Sequence, residues 1–370
     1  MMVKRALFLS GGGARGAYQA GVLKAISHIL QVKALPFSII TGVSVGTINA
    51  ALIAQYADNF ALGVDKLETL WREISCQQIF NSSNYELSKS MLRNLGYLFV
   101  KQRQHGFILD TSPLHQLIEK NIDFKRINHM ISARYLDTLE TISSCYERQQ
   151  TISFYQHSNK DFNDWHSPLH VSERCELGIK HILASSAIPL FFPTIEINGF
   201  HYGDGSMGLV SPLRGALRLN AEKIMIIGTR QAPSLMHLEQ LPNGNLGFAH
   251  ILGNMLNCLF LDNLDRDIEM VNHMNDVSRL LSIWKKRYSP WRPVETLYLK
   301  PSKAMSAIAQ AQYQIMPTLL RLLLNALGAQ HRSGALLSFL LFEKEFTSEL
   351  IQLGYEDTLA AAPAIAAFFS

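Results

Sequence analysis

The first 57 residues alternate short apolar runs, glycine turns and helix-forming stretches, and this alternation limits what the chain can fold into. Apolar runs at 3–10 and 37–44 have the length of buried strands and lead into glycine-containing turns. Apolar residues with helical spacing follow each turn, over 16–30 and 45–57. Repetition of strand, turn and helix predicts an α/β fold with a central, mainly parallel sheet.

Later segments extend this pattern. Runs typical of strands lie at 129–136, 141–146, 150–156, 222–230 and 294–301. Residues 194–206 are predicted as a hairpin, because Asn198-Gly199 favours a tight turn. Residues 176–189 are predicted as a helix that Pro189 ends, and 302–370 as helical.

Composition excludes several classes of protein. With 370 residues, of which 48% are hydrophobic and 17% charged, the chain can bury a large core in one or two domains. A net charge of +4 is too small to indicate a nucleic-acid partner. The four cysteines form no CxxC pair, which fits a reducing compartment. We find neither a signal peptide nor an 18-residue uncharged apolar run, so we expect a cytoplasmic protein that meets membranes only peripherally.

Residues 42–46, GVSVG, place a serine between a predicted strand and a predicted helix. A tight turn there would push Ser44 out of the sheet, and Gly42 and Gly46 would relieve the crowding. Ser44 could then act as a nucleophile, with the Val45 amide near a developing negative oxygen. The pattern also fits an ordinary turn in which Ser44 caps the helix.

Residues 11–16, GGGARG, follow the first predicted strand. They contain the G-x-G-x-x-G of dinucleotide sites, but the second strand lacks the carboxylate that such sites require, and the lysine of a P-loop is missing. The alternative is an oxyanion hole beside Ser44, formed by backbone amides. The amides concerned are those of Gly11, Gly12, Gly13 and Ala14. Arg15 could hold the loop, bind an anionic substrate or form a surface salt bridge.

A nucleophilic serine needs a base. The segment YGDGS places Asp204 in a glycine-bounded turn after the predicted hairpin, where a carboxylate can also form a simple Asx turn. A conventional triad would use a histidine instead. Of the thirteen histidines, His181 and His201 lie nearest to the other motifs, so both kinds of base remain open.

Together, these three segments resemble the patatin-like phospholipases. That family carries G-G-G-x-R/K-G, then G-x-S-x-G, then an aspartate followed by glycine and a small residue. The motif glycines that match outside residues 11–13 are Gly16, Gly42, Gly46 and Gly205. Residues 184–193 and 211–217 are also similar to the family. Ser206 departs from it, since glycine or alanine usually follows the glycine there, and its hydroxyl could alter the hydrogen bonding of Asp204.

The resemblance implies a three-layer sandwich with a Ser44–Asp204 dyad that works without histidine, metal or cofactor. The glycine-rich loop would bind the oxyanion while a phospholipid or another fatty-acyl ester is cleaved. It also implies a patatin-like catalytic domain at 5–230. The remainder of that domain, with a late strand and the basic aromatic loop, would lie at 231–301, and a helical C-terminal extension at 302–370. The alternatives are a soluble carboxylesterase or thioesterase on the same scaffold, and a catalytically silent membrane-docking protein.

Residues 284–303 carry six basic side chains against one acid, interleaved with Trp284, Tyr288 and Trp291. This composition suits an anionic membrane surface, although a solvated loop before a strand explains it somewhat better. The apolar segment 319–342 is broken by charged residues, so it is predicted as core or lid helices.

Overall fold

A computed structural model describes residues 3–81, 109–230, 248–280, 292–318, 321 and 334–370. Nine strands in these ranges form one sheet in the order β5-β4-β3-β2-β1-β8-β9, with β7 beside β3 and β6 beside β7. The strands are β1 (Arg5–Leu9), β2 (Ile39–Val43), β3 (Thr138–Cys145), β4 (Gln150–His157), β5 (His170–Arg174), β6 (Ile195–Ile197), β7 (Phe200–Asp204), β8 (Lys223–Ile227) and β9 (Glu295–Leu299).

The centre of the sheet is parallel. Strands β3, β2, β1, β8 and β9 all run in one direction, whereas β4 and β7 run antiparallel to β3. Strands β6 and β7 form the predicted hairpin, with Asn198 and Gly199 both at positive φ. The prediction of a mainly parallel sheet is confirmed. Its parallel strands bring the segments that follow β1 and β2 to the same edge.

Thirteen α-helices lie in the described ranges, together with short 3₁₀ turns at Gly13–Gly16 and Tyr313–Ile315. The helices are α1 (Ala17–Leu30), α2 (Val45–Ala54), α3 (Phe60–Glu73), α4 (Cys76–Ile79), α5 (Ser112–Asn121), α6 (Phe124–Ser132), α7 (Ile179–Ser185), α8 (Arg214–Arg218), α9 (Phe248–Leu280), α10 (Met305–Ala311), α11 (Gly334–Leu340), α12 (Lys344–Ala360) and α13 (Ala362–Phe369).

Helices cover both faces of the sheet. Successive residues of β1 point to opposite faces. Leu7 and Leu9 enter a core built with α1, α2 and the C-terminal helices. Ala6 and Phe8 enter a second core with α8 and the middle of α9. This arrangement confirms the predicted three layers.

The C-terminal helices pack against the first helix. Gly354 of α12 lies against the backbone of Tyr18, and Gly21 of α1 lies against Ile351, so the two helix backbones approach closely. The hydroxyl of Tyr18 donates to Asp357 at 3.1 Å, which adds a buried polar link between them. The helical C-terminal region is thereby confirmed.

One predicted strand is wrong. Within 129–136, the residues up to Ser132 belong to helix α6. The Asp123 side chain caps that helix by accepting the amides of Lys125 and Arg126. Helical spacing of buried Ile127, Met130 and Ile131 then overrides the strand-like composition. The predicted helix at 176–189 is shorter than expected, since α7 ends at Ser185.

Within the ranges given above, no helix is both long enough and apolar enough to cross a membrane. Of the basic aromatic segment 284–303, residues up to 291 lie outside the described residues, as does most of 319–333. The end of the apolar segment, from Gly334, is helix α11, and its described residues are largely buried.

Candidate active site

Ser44 occupies the turn between β2 and α2 with φ 55° and ψ −128°, a conformation that costs a non-glycine residue about 1–3 kcal/mol. Two serines from the end of α7 hold its backbone. The Ser44 N–H donates to Ser185 Oγ at 3.0 Å, and the Ser186 hydroxyl donates to the Ser44 carbonyl at 3.1 Å. Both backbone polar groups of Ser44 are therefore held by hydrogen bonds, and its side chain is not needed to hold the turn.

Strand register brings Asp204 to Ser44. Val43, which precedes Ser44, lies opposite Ile142 of β3, and the next β3 residue, Ser143, lies opposite Asp204 of β7. The hydroxyl of Ser44 donates to Asp204 Oδ2 at 2.5 Å. Both residues are buried, with 1% and 0% of their surface exposed. The structure thus assembles the predicted pair in a site shielded from water.

Burial controls the charge of Asp204. Desolvation raises the pKa of its carboxyl from 3.8 to about 7, against the opposing effect of hydrogen bonds from Ser44 and Ser206. The Ser206 backbone N–H donates to Asp204 Oδ1 at 2.9 Å. A carboxyl with this pKa exchanges its proton near neutral pH, as a general base must.

The two candidate histidines lie elsewhere. His201 is exposed and pairs with Glu147 at 2.7 Å. His181 lies beside Cys175, with Nδ1 accepting the Gly178 amide. In the described part of the chain, no histidine hydrogen-bonds to Ser44 or Asp204. The structure therefore brings Asp204 and Ser44 together without the histidine side chain that a conventional triad would place beside the serine.

The glycine-rich loop borders this site, since Gly13 lines the same pocket as Ser44 and Val45. Gly12 and Gly13 have φ values of 149° and 56°, and a methyl group at Gly13 would overlap the carbonyl of Phe339. Across the described ranges, the N–H groups of Gly12, Gly13 and Val45 meet no hydrogen-bond acceptor in the protein. Buried amides without an acceptor are costly, so such groups are suited to bind an anion.

The remaining motif residues hold this geometry together. Gly11 accepts the Thr229 hydroxyl through its carbonyl at 2.6 Å, and Ala14 is buried in the first 3₁₀ turn. The other glycines allow close approaches to neighbouring atoms: Gly16 to Val45 and Trp71, Gly42 to Thr47, Gly46 to Leu9, and Gly205 to Ile142.

An apolar pocket opens beside Ser44. It measures about 440 Å³ including the part open to solvent. Apart from Ser44 and Ser186, its side chains are apolar, and Gly13 borders it. The lining residues are Gly13, Ser44, Val45, Ile48, Leu70, Trp71, Ile74, Ile79, Leu114, Leu117, Ser186, Ile188, Phe192 and Phe342. This apolar lining suits a flexible hydrocarbon chain.

Sequence reasoning missed the roles of Ser185 and Ser186. Ser185 Oγ accepts the Ser44 amide and donates to the Ile142 carbonyl, which ties the turn to β3. Thr47 joins the same network through Ser185 at 3.0 Å. The similarity of residues 184–193 to the family was the available signal, but it did not indicate which atoms these hydroxyls contact.

Arg15 lies inside the protein, with 4% of its surface exposed, so it forms no surface salt bridge. Its guanidinium donates to Ser338, Asn257 and the Ala335 carbonyl, and stacks on Phe339 at 4.1 Å. Burial and the charge of Arg230 lower the pKa of Arg15 to about 9. These contacts tie the glycine-rich loop to helices α9 and α11. Binding of an anionic substrate by Arg15 stays a prediction.

Replacing Arg15 with alanine should lower the free energy of unfolding by about 2–4 kcal/mol, because the buried Ser338 hydroxyl and the half-buried Asn257 carbonyl lose this donor and the buried stack on Phe339 is lost. Urea denaturation followed by circular dichroism measures this change. Arg148→Ala is the matched control, since Arg148 also stacks on a ring at 4.1 Å, that of Phe200, but is partly exposed. Equal effects of the two substitutions would contradict a special role of the buried contacts.

A sequence model of the patatin-like phospholipases matches residues 7–217. The chain belongs to the patatin-like phospholipase family. This confirms the resemblance drawn from the motifs.

Two further comparisons found similar proteins. The lysophospholipase nte1 of Aspergillus terreus is 30% identical over 99 residues, which are 24% of this chain and 6% of that protein. The chain therefore matches only a small part of that much longer relative. The crystal structure of VipD from Legionella pneumophila aligns with 98% of this chain and 67% of its own, at 11% identity and a TM-score of 0.40.

Proposed function

We propose that this patatin-like protein is a lipid acyl hydrolase of the phospholipase A type that works through a Ser44–Asp204 dyad. The observation that carries the proposal is the 2.5 Å hydrogen bond from Ser44 Oγ to a buried carboxylate, beside backbone amides that have no acceptor. A hydroxyl bonded to a base can attack an ester carbon, and the free amides can stabilise the resulting oxyanion.

The proposed reaction has two halves. Ser44 Oγ attacks the acyl carbon while its proton passes to Asp204, and the amides of the glycine-rich loop and Val45 receive the oxyanion. The leaving alcohol then takes the proton from Asp204 as the ester bond breaks. In the second half, water attacks the acyl-enzyme, Asp204 receives the water proton, and Ser44 is restored as the fatty acid leaves.

The apolar pocket supports a long acyl chain as the substrate group next to Ser44. Each methylene buried there contributes about 0.8 kcal/mol. Contact with an anionic membrane through 284–303 stays a prediction, since residues 284–291 lie outside the described residues.

One experiment separates the candidate functions. The protein is treated with a fluorophosphonate probe, and hydrolysis of p-nitrophenyl esters from four to sixteen carbons is measured. We expect labelling at Ser44 and kcat/KM that rises with chain length. A preference for the shortest esters would indicate a carboxylesterase, and absence of labelling with absence of turnover would indicate a silent protein.

Filling the pocket should change chain-length preference. In Leu117→Trp the larger ring occupies space that the acyl chain needs, so kcat/KM for the sixteen-carbon ester should fall about tenfold or more, with little change for the four-carbon ester. Leu30→Trp is the control, because Leu30 is also partly buried but does not line the pocket. A uniform loss across all chain lengths would mean that the pocket does not hold the acyl group.

A further inference from the structure

Ser206, the residue that departs from the family pattern, carries a hydroxyl that the fold itself does not use. Only 3% of its surface is exposed. The Ser206 amide donates to Asp204 Oδ1 at 2.9 Å, so the residue lies beside that carboxylate. The Ser206 hydroxyl oxygen nevertheless completes no hydrogen bond with the protein in the described ranges. A buried hydroxyl has one donor and two acceptor sites, and leaving them unused is costly.

A small cavity adjoins this hydroxyl. Ser206, Ser10, Gly11, Val43 and Asn263 contribute to its wall. The part that water centres can occupy measures about 20 Å³. One water needs about 10–15 Å³ by the same measure and at least two polar partners, and this wall offers several. The cavity is therefore large enough and polar enough to hold a single water.

The cavity and the apolar pocket lie on opposite faces of the sheet edge. Phe8, Val43 and Leu264, which line the cavity, belong to the core beneath α8 and α9. Val45, Ile48 and Trp71, which line the pocket, belong to the core of the other face. Ser44 lines the pocket, and its neighbour Val43 lines the cavity. An acyl chain in the pocket would therefore leave the cavity open for water.

We propose that this cavity holds the water that hydrolyses the acyl-enzyme, and that Ser206 is the positioning residue that orients it toward Asp204. The inference rests on the proposed function. One O–H of the water donates to Asp204 and the other to Ser206 Oγ, which turns an oxygen lone pair toward the acyl carbon. The family residues glycine and alanine offer no such acceptor, so the contact is a property of this chain.

The chemical step balances without another reactant. The water oxygen forms a bond to the acyl carbon, and the water proton moves to Asp204. The tetrahedral intermediate then collapses, the bond from the acyl carbon to Ser44 Oγ breaks, and Ser44 takes the proton back from Asp204. The products are the free fatty acid and the resting enzyme.

The test separates acylation from deacylation. A p-nitrophenyl ester is mixed rapidly with the full chain, and the acylation and deacylation rates are measured by p-nitrophenol release and by the mass of quenched protein. For Ser206→Ala we expect deacylation to slow about tenfold while acylation changes by no more than about twofold. Then kcat and KM fall together, kcat/KM is unchanged, and acyl-enzyme accumulates. Ser206→Gly should behave in the same way and guards against a packing effect of the methyl group.

Ser143→Ala is the matched control. Ser143 also has a buried hydroxyl without a partner in the described ranges, and it lies opposite Asp204 in the sheet, but it lines neither cavity. Its deacylation rate should equal that of the parent. Unchanged deacylation in both Ser206 variants, or an equal slowing of both steps, overturns the water site. Absence of ester turnover in the parent, together with absence of any acyl adduct on Ser44, would instead reject the proposed function.

Discussion

Replacing Ser44 with alanine should abolish ester hydrolysis and leave the protein folded. The Oγ atom is the proposed nucleophile, and loss of a nucleophilic serine typically lowers kcat by a factor on the order of 10⁴–10⁶. Alanine keeps the Cβ atom, and the backbone bonds of residue 44 to Ser185 and Ser186 do not involve the lost hydroxyl. The unusual φ of 55° is therefore held as before.

The measurement combines turnover of a long-chain ester with the melting temperature and with fluorophosphonate labelling. Ser38→Ala is a suitable control, because it removes a half-buried hydroxyl that bonds only to the Arg5 carbonyl, away from the site. It should keep both activity and labelling. A folded Ser44→Ala protein that retains most of its turnover would show that another group performs the attack.

The elements around the site could be predicted because their sequence signals are local. Each of β1 and β2 is a short buried run that leads into a glycine turn and a helix. The hairpin of β6 and β7 depends only on its own tight turn, in which Asn198 and Gly199 adopt positive φ. These signals do not depend on distant parts of the chain. The motif residues follow from them, since Ser44 and the glycine-rich loop lie at the same edge of a parallel sheet.

Contacts between distant segments could not be predicted in this way. Arg15 meets Ser338, which is 323 residues away, and no pattern near Arg15 indicates a buried partner. The same holds for the hydroxyl of Ser185, whose bond to the Ser44 amide spans 141 residues. The prediction of a strand at 129–136 was wrong for a related reason, because burial of one face of α6 outweighed local strand propensity.

Replacing Asp204 with asparagine should lower kcat by a factor on the order of 10³–10⁴, since an amide cannot take the proton of Ser44. The parent should show a kcat/KM that rises with pH to a plateau, with an apparent pKa near the value of about 7 that burial gives Asp204. The variant should lose this rise. Stopped assays on one soluble ester between pH 5 and 9 measure both profiles.

The pH dependence of the stability of Asp204→Asn tests the raised pKa of Asp204 independently of activity. Because the folded state raises the pKa of Asp204 above 3.8, the folded protein binds the proton more tightly than the unfolded chain. The stability that this contributes is complete below pH 3.8 and is lost as the pH rises through about 7. Asparagine stays neutral, so the melting temperature of Asp204→Asn relative to the parent should increase between pH 5 and pH 8. A difference that stays constant would show that Asp204 is not desolvated as the structure indicates, and would remove the basis for treating it as a base poised near neutral pH.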